Sequence, residues 1–186
     1  MPNRIALVLA ALMIATHPAR SAADEVLIDP AQTEIRFTLG DVLHTVRGTF
    51  KLKRGTVRLD RATGKASGEL VVDVASGNTG GAARDKRMHK EILESARYPE
   101  AVFMPTRAEG QLAAEGNSTV QLHGTLNIHG ASHEITLPVS IHTAGGQTTA
   151  DTHFTMPYVS WGMKNPSNFI LKVSDKVEIA IHTVIQ

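Results

Sequence analysis

Cysteine is absent from this chain of 186 residues, which removes disulfides, thiolate nucleophiles, iron–sulfur clusters and cysteine-type zinc sites in one step. An excess of charge of one sign is absent too, since 19 Lys and Arg stand against 18 Asp and Glu. A nucleic-acid surface, which concentrates cations on one face, is therefore disfavoured. Aromatic residues make up only 4%, so the position of each carries information. Motif-borne catalysis is missing as well. There is no G-x-S-x-G, no G-x-G-x-x-G, no phosphate-binding loop and no H-E-x-x-H; His133-Glu134 opens like the last of these and fails at Leu137. No catalytic residue and no metal ligand is assigned on this pattern, and no enzyme is expected. What is present, 42% hydrophobic and 20% charged residues, is the composition of one folded globular domain.

The one long apolar run stands at the start. Arg4 precedes uninterrupted apolar residues over 5–15, about three helical turns and short of the roughly 20 residues a bilayer span needs. Pro18 breaks the run, and Ser21-Ala22-Ala23 supplies the small residues that a signal peptidase reads. Residues 1–23 are expected to be an export signal cleaved after Ala23, leaving a domain over 24–186 in the periplasm or outside the cell. Cleavage takes Arg4 and Arg20 and no acid, moving the net charge from +1 to about −1. No later stretch approaches membrane length, so the mature domain is not expected to insert stably in a membrane.

The body alternates with period two. Val120, Leu122, Gly124, Leu126 and Ile128 interleave with Gln121, His123, Thr125, Asn127 and His129, which is a strand with one dry face. Beyond a turn at 129–133 the alternation resumes as Ile135, Leu137, Val139 and Ile141, giving an antiparallel hairpin. Pro138 falls on the wet side and points to an edge or a bulge. Weaker alternation marks 33–39, 45–52, 56–60, 67–76, 101–109, 147–156 and 177–185. Eight or nine short strands punctuated by turns make an all-β antiparallel sandwich or barrel.

One stretch departs from the pattern. Between Gly80-Gly81 and Tyr98-Pro99, residues 82–97 are rich in helix formers and put Met88, Ile92, Leu93 and Ala96 on one side, with Thr79 as a cap. Such a helix closes one end of a barrel, with Arg84, Asp85, Lys86, Arg87 and Lys90 facing solvent or a ligand head; it can equally be a solvated connector.

Among the histidines, His123, His129, His133 and His142 lie on or beside the hairpin, where a loose surface metal site is geometrically allowed, although no carboxylate converges on them by spacing. Phe37, Phe50 and Phe103 stand at apolar phase, either filling a solid core or lining a hollow one, because an eight-stranded barrel is just wide enough to hold one slender ligand. Trp161, the only tryptophan, sits in a Pro- and Gly-bounded loop and either plugs the barrel floor or stacks on a ligand.

Several ordered segments carry a resemblance: Ile28-Asp29-Pro30-Ala31-Gln32-Thr33-Glu34-Ile35-Arg36-Phe37, then Val46-Arg47-Gly48-Thr49-Phe50, then Arg84-Asp85 one helix ahead of Tyr98-Pro99-Glu100-Ala101-Val102-Phe103, then Gly124-Thr125-Leu126-Asn127-Ile128-His129-Gly130. Together they resemble the YceI-like proteins, exported lipid-binding β-barrels of lipocalin-like shape. The resemblance covers nearly all of residues 26–186. It departs at the helix, where Arg87-Met88 and Ile92-Leu93 replace a His-Leu and paired phenylalanines of many relatives, and in the late loop, where Ser160-Trp161-Gly162-Met163 replaces Asp-Phe-Gly-Leu.

The resemblance implies an eight-stranded barrel that binds or carries a long apolar lipid (a polyisoprenoid, an isoprenoid quinone or a fatty amide) and performs no catalysis. The expected wall is Phe37, Phe50, Phe103, Leu126, Ile128, Leu137, Trp161 and Met163, with Arg84 and Arg87 at the mouth. No cofactor is expected beyond the lipid itself, and a homodimer stays open. Three other readings compete: a metal-binding envelope protein using the four histidines, a lipid hydrolase with no motif behind it, and a structural protein whose barrel is filled.

Overall fold

A computed structural model describes residues 24–40, 45–169 and 172–185. The expected export signal at 1–23 lies outside the described residues. Eight antiparallel strands, β1 (Asp24–Gly40), β2 (Thr45–Leu59), β3 (Ala66–Asn78), β4 (Glu100–Gly110), β5 (Gly116–Ile128), β6 (Ala131–Ala144), β7 (Gln147–Met156) and β8 (Val177–Ile185), follow one another around a closed barrel. β8 returns to β1 through pairs such as Ile35 with Ile181 and Phe37 with Ile179, so the ladder has no open edge.

The alternation carries through at the phase read from the sequence. Val120, Gly124, Leu126 and Leu137 are buried while Gln121, Glu134 and Thr136 face out. The stretches at 45–52 and 56–60 form one strand, β2, because register shifts between Thr49 and Lys51 and between Leu52 and Arg54 bend it without ending it. A similar break divides β1. The Asp29 carboxylate accepts the Ala31 amide at 2.8 Å, Pro30 has no amide to give to a ladder, and pairing with β2 resumes only at Ile35. Pro138 stands on the wet face one residue beyond Val139, where the ladder between β6 and β7 stops.

Two hairpins turn on two residues each. Gly145 and Gly146 both adopt positive φ, as do His129 (φ 51°) and Gly130 (φ 78°), the geometry whose twist matches the flanking strands. The turn expected at 129–133 is thus tighter than the sequence suggested. Surface ion pairs, Arg54 of β2 with Glu69 of the neighbouring β3 and Lys53 of β2 with Glu100 of β4 two strands away, each at 2.8 Å, contribute little each.

The helical segment is shorter than 82–97. An α-helical turn over Ala82–Arg87, here α1, widens into a π-helical turn over Met88–Ile92, closed by the Leu93 amide donating to the Met88 carbonyl at 2.9 Å. Glu94 then takes φ 44°, a left-handed conformation that a continuing helix cannot use. Thr79 is not the cap. Gly81 occupies that position without a side-chain hydrogen bond, and Thr79 instead donates to the Asp85 carboxylate and accepts from the Arg84 side chain. Among the described residues no helix is long and apolar enough to cross a membrane.

Candidate functional site

One end of the barrel carries the helical segment between β3 and β4 and the described part of the long connection from β7 to β8. Beneath them lies a cavity of about 210 Å³. Its walls are Phe37 and Leu39 of β1, Val46 and Phe50 of β2, Met156 of β7, and Val177 and Ile179 of β8. Its roof is Met88, Ile92 and Leu93 from the helical segment and Tyr158, Met163, Pro166 and Val173 from the β7–β8 connection. Only Thr79, Arg84 and Arg87 bring charge or a hydroxyl to the rim apart from the Tyr158 phenol. A chamber so lined is apolar and offers few directional contacts.

Each wall position follows from the pleat. Phe37 and Phe50 project inward from adjacent strands with ring centroids 5.1 Å apart and planes tilted by 36°, a favourable aromatic arrangement. Gly48 stands opposite Phe37 in the ladder, and a Cβ there would lie 2.4 Å from the Phe37 ring. Glycine in the Val46-Arg47-Gly48-Thr49-Phe50 segment is therefore what lets that ring occupy the chamber wall. Gly77 plays the same part under the roof, where a Cβ would meet the Phe50 ring at 2.7 Å and the Met88 methyl at 3.0 Å.

The rim is tied to the protein itself. Asp85 accepts the Thr79 amide at 2.9 Å and the Thr79 hydroxyl at 2.5 Å. Arg84 donates Nε to the same hydroxyl at 2.7 Å and Nη2 to the Thr79 carbonyl at 2.9 Å. The hydrogen bond from the Thr79 hydroxyl, more than the nearby Arg84 charge, holds the Asp85 carboxyl below its usual range. Arg87 donates toward the Glu91 carboxylate at 3.3 Å and the Pro166 carbonyl at 3.4 Å, and Lys164 lies 3.6 Å from the same Glu91 oxygen. Glu91 thus links the helical segment to the β7–β8 connection, and its hydrogen bond from Arg87 lowers its pKa. His89 adds a third strap, with Nε2 2.8 Å from the Gly77 carbonyl and Nδ1 3.1 Å from the Ser95 hydroxyl.

Of the ten residues expected at the wall and mouth, Phe37, Phe50, Arg84, Arg87 and Met163 border the cavity. The other five do not. Phe103, Leu126 and Leu137 are buried in the packed interior, and Ile128 is half-buried against it. Trp161 lies flat on His133, ring centroids 4.0 Å apart and planes 7° from parallel, so its face is covered by protein. The sequence reading missed Met156, Val177 and Ile179, although the alternation of 147–156 and 177–185 puts them at dry phase beside the mouth. Tyr158 was missed because it belongs to no strand. Its phenol donates to the Ser174 carbonyl at 2.7 Å, and burial, reinforced by Asp175, pushes its pKa up to about 12.

The four histidines do not converge. His123 pairs with the Thr136 hydroxyl at 2.9 Å, His142 with the Asn117 side chain at 2.7 Å, His129 lies against Tyr98 at 4.5 Å, and His133 is stacked on Trp161. Among the described residues no group of three or more His, Asp or Glu side chains is placed to hold a metal ion.

Comparison with known proteins follows the geometry. A UPF0312 protein of Pseudomonas savastanoi pv. phaseolicola is 33% identical over 102 residues, 54% of this chain and 51% of that one. A UPF0312 protein of Vibrio campbellii is 27% identical over 73% of this chain and 71% of its own. The chain spans about half the length of the first of these curated relatives. Among solved structures, Burkholderia cenocepacia BcnA superposes with a TM-score of 0.67 at 21% identity, over 84% of this chain and 98% of that one. A polyisoprenoid binding domain from Saccharophagus degradans, implicated in plant cell wall breakdown, superposes with a TM-score of 0.66 at 18% identity, over 87% and 97%. These likenesses are of fold. Residues 27–185 match the YceI-like domain, and the chain belongs to the YceI-like family.

Proposed function

We propose that this protein binds or carries an apolar lipid, of the isoprenoid, isoprenoid-quinone or fatty-amide kind, and catalyses no reaction on it. The observation that carries the reading is the chamber of about 210 Å³ at one end of the barrel, walled by apolar side chains and roofed by two connections. Each methylene moved from water into such a space gains about 0.8 kcal/mol, so a tail binds without many polar partners. The family, and a solved relative that is a polyisoprenoid binding domain, support binding over catalysis. The lipid head lies at the rim. Arg84 and Arg87 are engaged with Thr79, Glu91 and Pro166, so of the five charged residues of the helical segment named from the sequence the exposed Lys86 and Lys90 are left to an anionic head. Export to the periplasm or medium, with residues 1–23 removed, belongs to the same proposal.

Native mass spectrometry of protein purified without detergent from its host tests both parts. The expected spectrum shows a chain lacking residues 1–23 and a stoichiometric apolar adduct that organic solvent extracts. A bare mass that stays bare after incubation with prenyl and acyl lipids would refute the binding reading. A full-length mass from the exported fraction would refute the cleavage.

A further inference from the structure

The chamber does not run the length of the barrel. Its wall comes from β1, β2, β7 and β8, and no residue of β4, β5 or β6 borders it. Two residues inward from Phe37 on β1, Ile35 is 3% exposed, and two residues inward from Phe50 on β2, Leu52 is 5% exposed. Neither touches the cavity. Ile35 pairs with Phe50 on one side and Ile181 on the other, so it spans the strands that form the wall one layer above.

Below that layer the interior is closely packed where its glycines test it. A Cβ on Gly55 would fall 2.9 Å from Ile28 and 3.4 Å from Leu52, and one on Gly124 would fall 2.7 Å from the Phe103 ring. Space that rejects a methyl group rejects the end of a lipid tail. The size of the chamber then sets a length. An apolar cavity of about 150 Å³ takes up benzene, roughly 25 Å³ per carbon, so about 210 Å³ takes about eight carbons.

We propose that this protein selects its ligand by tail length: about eight carbons lodge in the chamber, Ile35 and Leu52 form the floor, and any further carbons stay outside the mouth. The proposal rests on the apolar-lipid reading above and narrows it to ligands whose binding is decided by a short tail or by the terminal segment of a long one.

Calorimetric titration of the whole protein with linear primary alcohols of six, eight, ten and twelve carbons, each below its solubility limit, tests this directly. The dissociation constant should fall about fourfold per carbon up to about eight carbons and by less than about twofold per carbon beyond. Prenyl alcohols of ten and fifteen carbons should then bind within about thirtyfold of each other. An unbroken fourfold gain through twelve carbons, with the longer prenyl alcohol about a thousandfold tighter, would overturn the floor while leaving the lipid reading intact. No binding by any alcohol would refute the lipid reading and this proposal with it. Ile35→Ala removes three carbons from the floor and should move the break to about eleven carbons. A variant with native near-ultraviolet circular dichroism and an unmoved break would also overturn the assignment; if the variant does not fold, the wild-type series decides alone.

Discussion

Replacing Asp85 with alanine should loosen the lip of the barrel while leaving its interior packed. The carboxylate accepts two hydrogen bonds from Thr79, at 2.9 Å from the amide and 2.5 Å from the hydroxyl, and Arg84 grips the other side of the same residue. Two hydrogen bonds at roughly 0.5–1.5 kcal/mol each, discounted for partial exposure, give a loss of about 1–2 kcal/mol. For a domain of this size that is a fall in Tm of about 2–8 °C. Urea unfolding followed by circular dichroism reads it. Asp85→Asn keeps an acceptor oxygen and should lose less than Asp85→Ala. The pH dependence has a definite sign. The folded carboxyl is held below its ordinary value by the Thr79 hydroxyl and Arg84, so its contribution is full above the unfolded pKa of about 4 and is lost as pH falls through the folded value. The stability gap between wild type and Asp85→Ala should therefore narrow as pH drops below about 4. Thr79→Val should be non-additive with Asp85→Ala by about 1 kcal/mol. Additivity within about 0.3 kcal/mol, or a gap indifferent to acid, would refute the knot.

Gly48→Val should cost about 1–3 kcal/mol in the same assay, because its Cβ would stand 2.4 Å from the Phe37 ring and 2.6 Å from the Asn78 carbonyl; since Phe37 walls the chamber, the variant should also lose affinity for any apolar ligand, and wild-type stability would contradict the packing. Tyr158→Phe should cost about 1–2 kcal/mol by leaving the Ser174 carbonyl without its donor. The wild-type Tyr158 contribution should be full below about pH 10 and lost as pH rises through about 12. An ultraviolet titration in which Tyr158 ionises near pH 10 would contradict this.

The fold was legible because its signal is local. Strict alternation at 120–128 and 135–141 named the faces correctly; strand number and spacing left eight or nine strands and a sandwich or a barrel open, and the resemblance to the YceI-like proteins supplied the eight-stranded barrel. The boundaries that went astray were decided by backbone conformation, which periodicity does not encode: the left-handed Glu94 that ends the helical segment, and the bulges that turn 45–52 and 56–60 into one strand. The site was half legible for a related reason. Alternation says that Phe37 and Phe103 both point inward, and it cannot say that the first borders a void while the second meets Gly124. Arg84 and Arg87 were read as ligand-facing from their charge alone. Their occupation by Thr79, Glu91 and Pro166 depends on contacts of five residues or fewer for Thr79 and Glu91, and of 79 residues for Pro166; only the short ones could have been sought in the sequence.

Why one half of the barrel is hollow follows from closure and residue size together. A continuous ladder fixes the circumference, so the walls cannot move inward to fill a gap the way two unlinked layers can. Whether an interior layer is full is then decided by how far its side chains reach across. In the layers below the chamber, the Phe103 ring and the Met104 carbonyl leave no space for a Cβ on Gly124, and Ile28 and Leu52 leave none on Gly55. At the mouth, Val46, Val177, Leu39 and Ile179 leave the space across the barrel unfilled, and the two phenylalanines there, Phe37 and Phe50, lie against each other on adjacent strands. The scarcity of aromatic residues noted at the outset thus has a spatial consequence. There are too few large rings to fill the upper layers, and Met88, Ile92 and Met163, brought over the top by the helical segment and the β7–β8 connection, cover the space without occupying it.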